Sequence, residues 1–139
     1  TVRTFSLDVL DLIEQRMRDV AEHTSAAFGA TCTFEFERNY PPTINHLAEV
    51  NFAREIMVDI VGVDNVHAQE PTMGAEDFSY MLQAKAGAYC FIGNGDGMHR
   101  EMGHGEGPCT LHNPNYDFND RLIPLGATYW VNLVQAWLR

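Results

Sequence analysis

One histidine, His112, has the sequence surroundings expected of a metal ligand. It lies in a glycine-rich stretch between Gly93 and Asp120 that holds six of the eleven glycines and three of the six histidines. A neutral imidazole supplies a ligand nitrogen, and a nearby Asp or Asn can accept the second ring proton and fix the tautomer. The other interpretation is a loop histidine that caps a turn or bonds to the backbone. Spacing alone leaves both open.

A second candidate is the run Gly74-Ala75-Glu76-Asp77, which opens a predicted helix from about Ala75 to Ala84. The first turn of a helix has unpaired N–H groups and a partial positive charge, so it can receive a carboxylate. Glycine also lets a ligand approach the backbone closely. Equally, Glu76 and Asp77 could simply complement the helix dipole. Because acidic side chains repel an anion, we expect backbone groups rather than the Glu76 side chain to make any such contact.

The glycine-rich stretch contains further side chains that could suggest another metal cluster. They are Met98, His99, Met102, His104 and Cys109. The two histidines are not at helical spacing, and Cys109 with His112 lacks a second ligand pair, so we interpret the set as solvated loop residues. A thiol nucleophile at Cys109 is also disfavoured, since no G-x-C-type turn or orienting partner accompanies it.

Charge and hydropathy exclude two classes of partner. The formal net charge is −10, from 19 acidic and 9 basic residues. Such a surface repels phosphate backbones, so we expect no nucleic-acid partner. No apolar run reaches the roughly 18 residues that a membrane span requires, so we expect no membrane partner either.

The cysteines and the first residues bear on location and completeness. Three cysteines, odd in number and irregularly spaced, favour reduced thiols and a cytoplasmic protein. The chain opens at Thr1 without an initiator Met, in a segment typical of a strand already under way. We expect this start to be an engineered or proteolytic cut.

The elements before residue 41 read strand, helix, strand. Strands are predicted at Thr1–Phe5 and, from the alternation of apolar and polar residues, at 32–37. Between them an apolar stripe predicts a helix capped by Ser6 and stopped by Gly29. This half-sheet would have an exposed edge and too few strands to be stable alone.

The consecutive prolines Pro41 and Pro42 interrupt this pattern, and we place a domain boundary there. Helices and strands then alternate, which predicts an α/β layer. The predicted elements are a helix at 46–61, a short strand at 66–68, a helix at 75–84, a central strand at 87–92 and a helix at 121–138.

Four ordered motifs together resemble one enzyme family. They are Thr1-Val2-Arg3-Thr4-Phe5, Tyr40-Pro41-Pro42-Thr43-Ile44-Asn45, Gly74-Ala75-Glu76-Asp77-Phe78-Ser79, and Leu111-His112-Asn113-Pro114 continuing to Asn119-Asp120. This set is similar to the C-terminal signatures of the aminoacylase and metallo-carboxypeptidase family. The branch it resembles most contains hippurate hydrolases and amino-acid-conjugate hydrolases. The motifs span nearly the whole chain, and four in order are far more specific than one.

The resemblance implies an α/β architecture in two parts. Residues 1–40 would be the second half of a ferredoxin-like α+β lid domain, which the family uses for dimerisation, and a homodimer is expected. Residues 41–139 would be the C-terminal part of a metallo-aminopeptidase-like catalytic domain.

The resemblance also implies chemistry. The family binds two divalent metal ions, usually zinc, manganese or cobalt, and His112 matches its last ligand. Gly74, Ala75, Glu76 and Asn113 are the expected substrate-binding residues, for a small N-acyl amino acid or peptide-like substrate. The general base and the other ligands would lie upstream. Since even a catalytic zinc needs about three protein ligands, we expect this chain to be inactive alone.

A different class of function stays open at this point. The chain could be a non-catalytic binding or dimerisation module that uses the exposed lid edge strand to pair with a partner, since edge strands readily add another chain.

Overall fold

The computed structural model describes residues 1–100 and 111–139, and in these ranges every regular element is helical. The elements are α1 (Leu7–Ala27), α2 (Leu47–Val61), α3 (Phe78–Ala84) and α4 (Ile123–Trp137), with short 3-10 turns at Val63–Asn65 and Asp120–Leu122. Within this part of the chain, no helix has the length and apolar character that crossing a membrane demands.

Two compact units make up the fold. The first contains Thr1–Glu49 and Gln69–Tyr89, and the second contains Val50–Ala68 and Cys90–Arg139.

Helix α1 confirms the helix predicted between Ser6 and Gly29. Ser6 is extended, with φ −141° and ψ 137°, although its side chain makes no capping hydrogen bond. Gly29 has a φ of +69°, in the left-handed region that glycine adopts readily, and it ends the helix. The apolar stripe is only partly covered, because α1 contains no fully buried residue and Val20 is 65% exposed.

The strand predictions are wrong for this structure. No strand forms at Thr1–Phe5, 32–37, 66–68 or 87–92, all of which lie within the described ranges. The alternation at 32–37 is real, since the rings of Phe34 and Phe36 share one side and stack with centroids 6.2 Å apart. Alternation shows that successive side chains point to opposite sides of an extended backbone. A strand also needs a neighbouring strand that completes the hydrogen-bond ladder. The edge strand required by the non-catalytic alternative is therefore not formed.

Charged groups, instead of a ladder, tie the segment around Phe34 and Arg38 to α1. Arg38 reaches Glu14 Oε2 through Nη2 and Asp11 Oδ1 through Nη1, at 2.6 Å in both cases. The hydrogen bond to Glu14, followed by that to Asp11, raises the pKa of the Arg38 guanidinium above its ordinary value. Arg18 adds a cation–π contact, with its guanidinium carbon 4.9 Å from the centre of the Phe34 ring. The segment is thus held by side chains, at an exposed face of the first unit.

The chain after the two prolines is anchored by side-chain bonds to backbone. Asn45 pairs with Tyr89, whose carbonyl accepts from Nδ2 at 2.8 Å and whose N–H donates to Oδ1 at 2.7 Å. The backbone N–H of His46 donates to the Gly87 carbonyl at 3.0 Å. Helix α2 then begins at Leu47, one residue after the predicted start, and ends at Val61 as predicted.

In the second unit, α4 begins later than predicted. The prediction was Arg121, but residues Asp120–Leu122 form a 3-10 turn and the α-helix starts at Ile123. Pro124 lies in the first turn, as predicted, where its missing N–H removes no helical bond. Phe52 packs edge-on against Trp137 with ring centroids 5.5 Å apart, and Ala53 is 6% exposed. Trp137 is nevertheless 68% exposed, so this contact covers only part of the indole.

Candidate functional site

His112 occupies a turn with unusual backbone geometry. Its φ is +71°, and it is the only non-glycine residue with positive φ in the described ranges. Side chains there crowd the following carbonyl, although histidine is among the residues found there more often than most. The residue is exposed, and its ring makes no hydrogen bond to any other described residue. An exposed imidazole without a competing bond fits one ligand position of a divalent ion.

The backbone after His112 is shaped by Asn113. Asn113 Oδ1 accepts from the N–H of Asn115 at 2.9 Å, and the Asn113 carbonyl accepts from the N–H of Tyr116 at 2.9 Å. These bonds close a tight turn in which the Asn side chain mimics backbone. Arg100 Nη2 also donates to the Asn115 carbonyl at 3.3 Å. The side-chain oxygen of Asn113 therefore has a structural task, and its expected contact with substrate stays a prediction.

Asn94 holds the segment that follows this turn. Its Nδ2 donates to the carbonyl of Asp117 at 2.7 Å, and its Oδ1 accepts from the N–H of Asn119 at 2.9 Å. Asn119 Nδ2 returns a bond to the Asn94 carbonyl at 3.4 Å, while its Oδ1 accepts from the N–H of Arg121 at 3.2 Å. The side-chain amide of Asn94 thus makes the two hydrogen bonds that a neighbouring strand would make with residues 117 and 119.

His99 is not the solvated loop residue that we predicted. It is half-buried, and its Nε2 lies 3.0 Å from the Asp117 carbonyl. Since a carbonyl oxygen only accepts, Nε2 must carry a proton. Nδ1 is buried and has no hydrogen-bond partner among residues 1–100 and 111–139. The prediction for Met98 holds, since it is 82% exposed.

The predictions for Met102, His104 and Cys109 lie outside the described residues.

The loop Gly74-Ala75-Glu76 is exposed, and the helix after it begins at Phe78 rather than at the predicted Ala75. The expectation of a helix N-terminus at Ala75 is therefore wrong. Asp77 precedes the helix without making a side-chain capping bond. The N–H groups of residues 74, 75 and 76 make no hydrogen bond within the described part of the chain. The described residues therefore leave three backbone donors of this exposed loop without a partner.

Ser79 holds the end of this loop from inside. Its residue is 0% exposed, and its Oγ donates to the Glu76 carbonyl at 2.6 Å. The Ser79 N–H donates to the same carbonyl at 3.2 Å. Sequence reasoning missed this residue, because a serine inside a helical pattern carries no sign of its hydrogen-bond partner.

The predicted site residues fall into separate groups. His112 and Asn113 belong to the second unit, whereas Gly74, Ala75 and Glu76 belong to the first. Across residues 1–100 and 111–139, no three His, Cys, Asp or Glu side chains converge as a metal-binding group would require. The chemistry that these ranges offer is thus one available imidazole and, separately, one loop of exposed backbone donors.

Sequence reasoning did not identify Asn94, named Asn119 only as part of the fourth motif, and interpreted His99 as solvated. The Gly93-Asn94-Gly95 run indicates a turn, which could have marked Asn94 as structurally special. Nothing in the sequence names its partner 23 residues away at Asp117.

Comparison with known proteins places these features in a family. The model of peptidase family M20/M25/M40 matches residues 5–136. Candidate amidohydrolase YhaA of Bacillus subtilis (strain 168) is 32% identical over 91% of this chain and 31% of its own length. IAA-amino acid hydrolase ILR1-like 4 of Arabidopsis thaliana is 27% identical over 99% of this chain and 31% of its own length. Hippurate hydrolase of Campylobacter jejuni is 26% identical over 100% of this chain and 34% of its own length.

The chain thus spans about a third of the length of these curated relatives. No solved structure matched it. The resemblance inferred from the four motifs is confirmed.

Proposed function

Since this chain belongs to peptidase family M20/M25/M40, we propose that it is the C-terminal part of a metal-dependent amidohydrolase. The proposed reaction is cleavage of the amide of N-acyl amino acids or amino-acid conjugates. The observation that carries the proposal is the family match over residues 5–136. The names of relatives as hydrolases of hippurate and of IAA-amino acids support the substrate class. An α/β catalytic domain at 41–139 and half of a lid at 1–40 are part of the same proposal.

His112 is the proposed metal ligand of this chain. Two divalent ions, zinc, manganese or cobalt, would lower the pKa of a bound water and polarise the scissile carbonyl. The contribution of His112 is one ring nitrogen, on an exposed side chain that no other described residue engages. The remaining ligands and the general base are assigned to the preceding part of the protein, so this chain alone is expected to be inactive.

Gly74, Ala75 and Glu76 are the proposed receptors for a substrate carboxylate. All three residues are exposed, and their backbone N–H groups make no bond within the described residues. The later start of α3 removes Ala75 from the helix, so the proposal now depends on these donors more than on a helix dipole. Ser79 supports it by holding the Glu76 carbonyl at 2.6 Å. Asn113 is proposed as a further substrate contact.

A homodimer and a cytoplasmic location are also part of the proposal. The exposed free thiols of Cys32 and Cys90 support the cytoplasmic location. A nucleic-acid partner is not proposed, because the net charge is −10.

The test requires a polypeptide in which this chain is joined to the part that precedes it in the family. Purified with manganese or zinc, it should hydrolyse N-acyl amino acids, and chelators should abolish the activity. His112→Asn is the sharpest variant, because Asn tolerates the left-handed backbone but offers no imidazole. Its activity should fall by more than the roughly 10- to 100-fold that loss of a residue supporting a ligand costs.

His67→Asn is the matched control, since His67 is also exposed and makes no hydrogen bond to another described residue. It should retain full activity. Hydrolysis that resists chelators and is equal in the His112→Asn and His67→Asn variants would show that His112 binds no catalytic metal.

A further inference from the structure

We propose that Asn94 is a positioning residue that sets the direction of the His112 imidazole through the segment 113–119. This inference rests on the proposed function, since it concerns how a metal ligand is held. Asn94 touches neither the ring nor any bound group, and acts only through backbone.

Asn94 is hydrogen-bonded to the backbone through both its amide nitrogen and its amide oxygen. The carbonyl of Asp117 accepts from Nδ2 at 2.7 Å, and the N–H of Asn119 donates to Oδ1 at 2.9 Å. One side-chain amide therefore satisfies both groups that a neighbouring strand would satisfy at positions 117 and 119. A bond at one end alone would leave the segment free to pivot. Two bonds fix its position and its orientation.

A second anchor acts on the same carbonyl. His99 Nε2 donates to Asp117 at 3.0 Å, so this oxygen accepts from both ends of the turn that runs from Asn94 to His99. Gly95 allows the turn, with a φ of +87°. A Cβ at Gly95 would lie 3.3 Å from Asn119 Nδ2, so the two segments approach closely. The segments that carry Asn94, His99 and Asp117 are therefore closely packed as well as hydrogen-bonded.

The fixed segment is connected to His112 by one closed turn. Asn113 bonds the N–H groups of Asn115 and Tyr116, both at 2.9 Å, which ties the residue after His112 to the start of the held segment. His112 has a left-handed backbone of φ +71°, a conformation sensitive to displacement of the residue that follows it. A shift at 117–119 would thus change where the imidazole points. Since the ring itself makes no bond within the described residues, the backbone is what orients it.

The test measures metal affinity rather than activity, with manganese or zinc titrated calorimetrically into the joined polypeptide. Asn94→Ala should weaken binding about 10- to 100-fold, the range seen when a residue supporting a ligand is lost. The matched control is Asn65→Ala, which removes a comparable side-chain bond, 2.8 Å long to the Val61 carbonyl, in the same unit. It should leave affinity unchanged.

Asn94→Asp is the second variant. It keeps an acceptor for the Asn119 N–H but places an oxygen against the Asp117 carbonyl, so it should also weaken binding. Folding of every variant is checked by circular dichroism and thermal unfolding. If folded Asn94 variants bind metal like the Asn65→Ala control, or if both Asn94 variants fail to fold, the positioning role is overturned.

His112→Asn in the same titration separates the two proposals. If it weakens binding and the Asn94 variants do not, only the positioning role fails. If His112→Asn binds metal normally, the proposed ligand itself is wrong.

Discussion

The side chain of Asn45 pairs in both directions with the backbone of Tyr89. Nδ2 donates to the Tyr89 carbonyl at 2.8 Å, and Oδ1 accepts from the Tyr89 N–H at 2.7 Å. Asn94 makes a similar pair of hydrogen bonds with the backbone of residues 117 and 119. In both units, then, an asparagine supplies the backbone partner that a strand neighbour would otherwise supply.

Replacing Asn45 with Ala should lower the free energy of unfolding by about 1–2 kcal/mol, because two exposed hydrogen bonds, each of modest net value, are lost. Urea denaturation of the chain followed by circular dichroism measures this. Asn51→Ala is the control, since Asn51 is exposed on α2 and its loss should not destabilise. Equal midpoints for the two variants would mean that the Asn45–Tyr89 pair does not stabilise the fold.

Ser79→Ala should cost about 1 kcal/mol, the net value of the Oγ bond to the Glu76 carbonyl. Ser79→Val should cost more, about 1–3 kcal/mol, because the site is 0% exposed and extra methyl groups would overpack it. The same denaturation experiment applies.

The control for Ser79 is Ser25→Ala. Ser25 Oγ bonds the Ala21 carbonyl one turn back at 2.8 Å, a contact that stabilises a helix little or not at all. That variant should be neutral or slightly more stable. A Ser79→Ala variant as stable as Ser25→Ala would contradict a supporting role for Ser79 beneath the Gly74–Glu76 loop.

Gly95→Ala should destabilise more than Gly29→Ala. Both positions have positive φ, +87° and +69°, so each substitution incurs a strain of roughly 1–2 kcal/mol. At Gly29 a Cβ would meet nothing within 4 Å, whereas at Gly95 it would press on Asn119 Nδ2 at 3.3 Å. Thermal unfolding of the two variants gives the comparison. A smaller loss of stability for Gly95→Ala than for Gly29→Ala would show that the segments of Gly95 and Asn119 are not closely packed.

Alkaline pH should destabilise the second unit through Tyr129. Burial raises the pKa of this phenol above its ordinary value near 10, and the neighbouring Cys90, whose Sγ lies 3.9 Å from the hydroxyl oxygen, raises it further. The folded state therefore holds the phenolic proton longer than the unfolded state does. The stabilisation is complete below about pH 10 and is lost as the pH rises through the higher folded pKa.

The measurement is urea denaturation from neutral to strongly alkaline pH. Wild type should lose stability above about pH 10, and Tyr129→Phe should lose less. Cys90→Ala should show an intermediate slope, because it removes the smaller contribution. Identical alkaline slopes for wild type and Tyr129→Phe would rule out Tyr129 as the source.

The helices could be predicted and the strands could not, for a physical reason. Helices α1 and α2 are specified by local periodicity, and α1 also by the stop at Gly29, so the sequence predicts their bounds to within about a residue. The run from Gly87 to Ile92 has the composition of a buried strand, but its pairing depends on residues distant in sequence. In the described ranges that pairing is replaced, at Gly87 and Tyr89, by His46 and Asn45.

The candidate site shows the same division. His112 is predicted as a metal ligand because it is a histidine among glycines and because a family motif surrounds it. Asn94 and His99 contact Asp117 from 23 and 18 residues away in sequence, and no local pattern encodes such contacts. The misjudgement of His99 as solvated came from the same source, because a glycine-rich composition does not reveal that the loop folds onto a neighbour.

At His112 the residue that would best stabilise the backbone conformation differs from the residue that the proposed chemistry requires. A φ of +71° is adopted most easily by glycine and next by asparagine, and neither could donate an aromatic nitrogen to an ion. Any programme of design or laboratory evolution that rewards heat tolerance alone would therefore drift towards those two residues at this position. A variant selected in that way should be more stable and should lack the proposed activity. Its sequence would show whether histidine is kept here for stability or for the proposed chemistry.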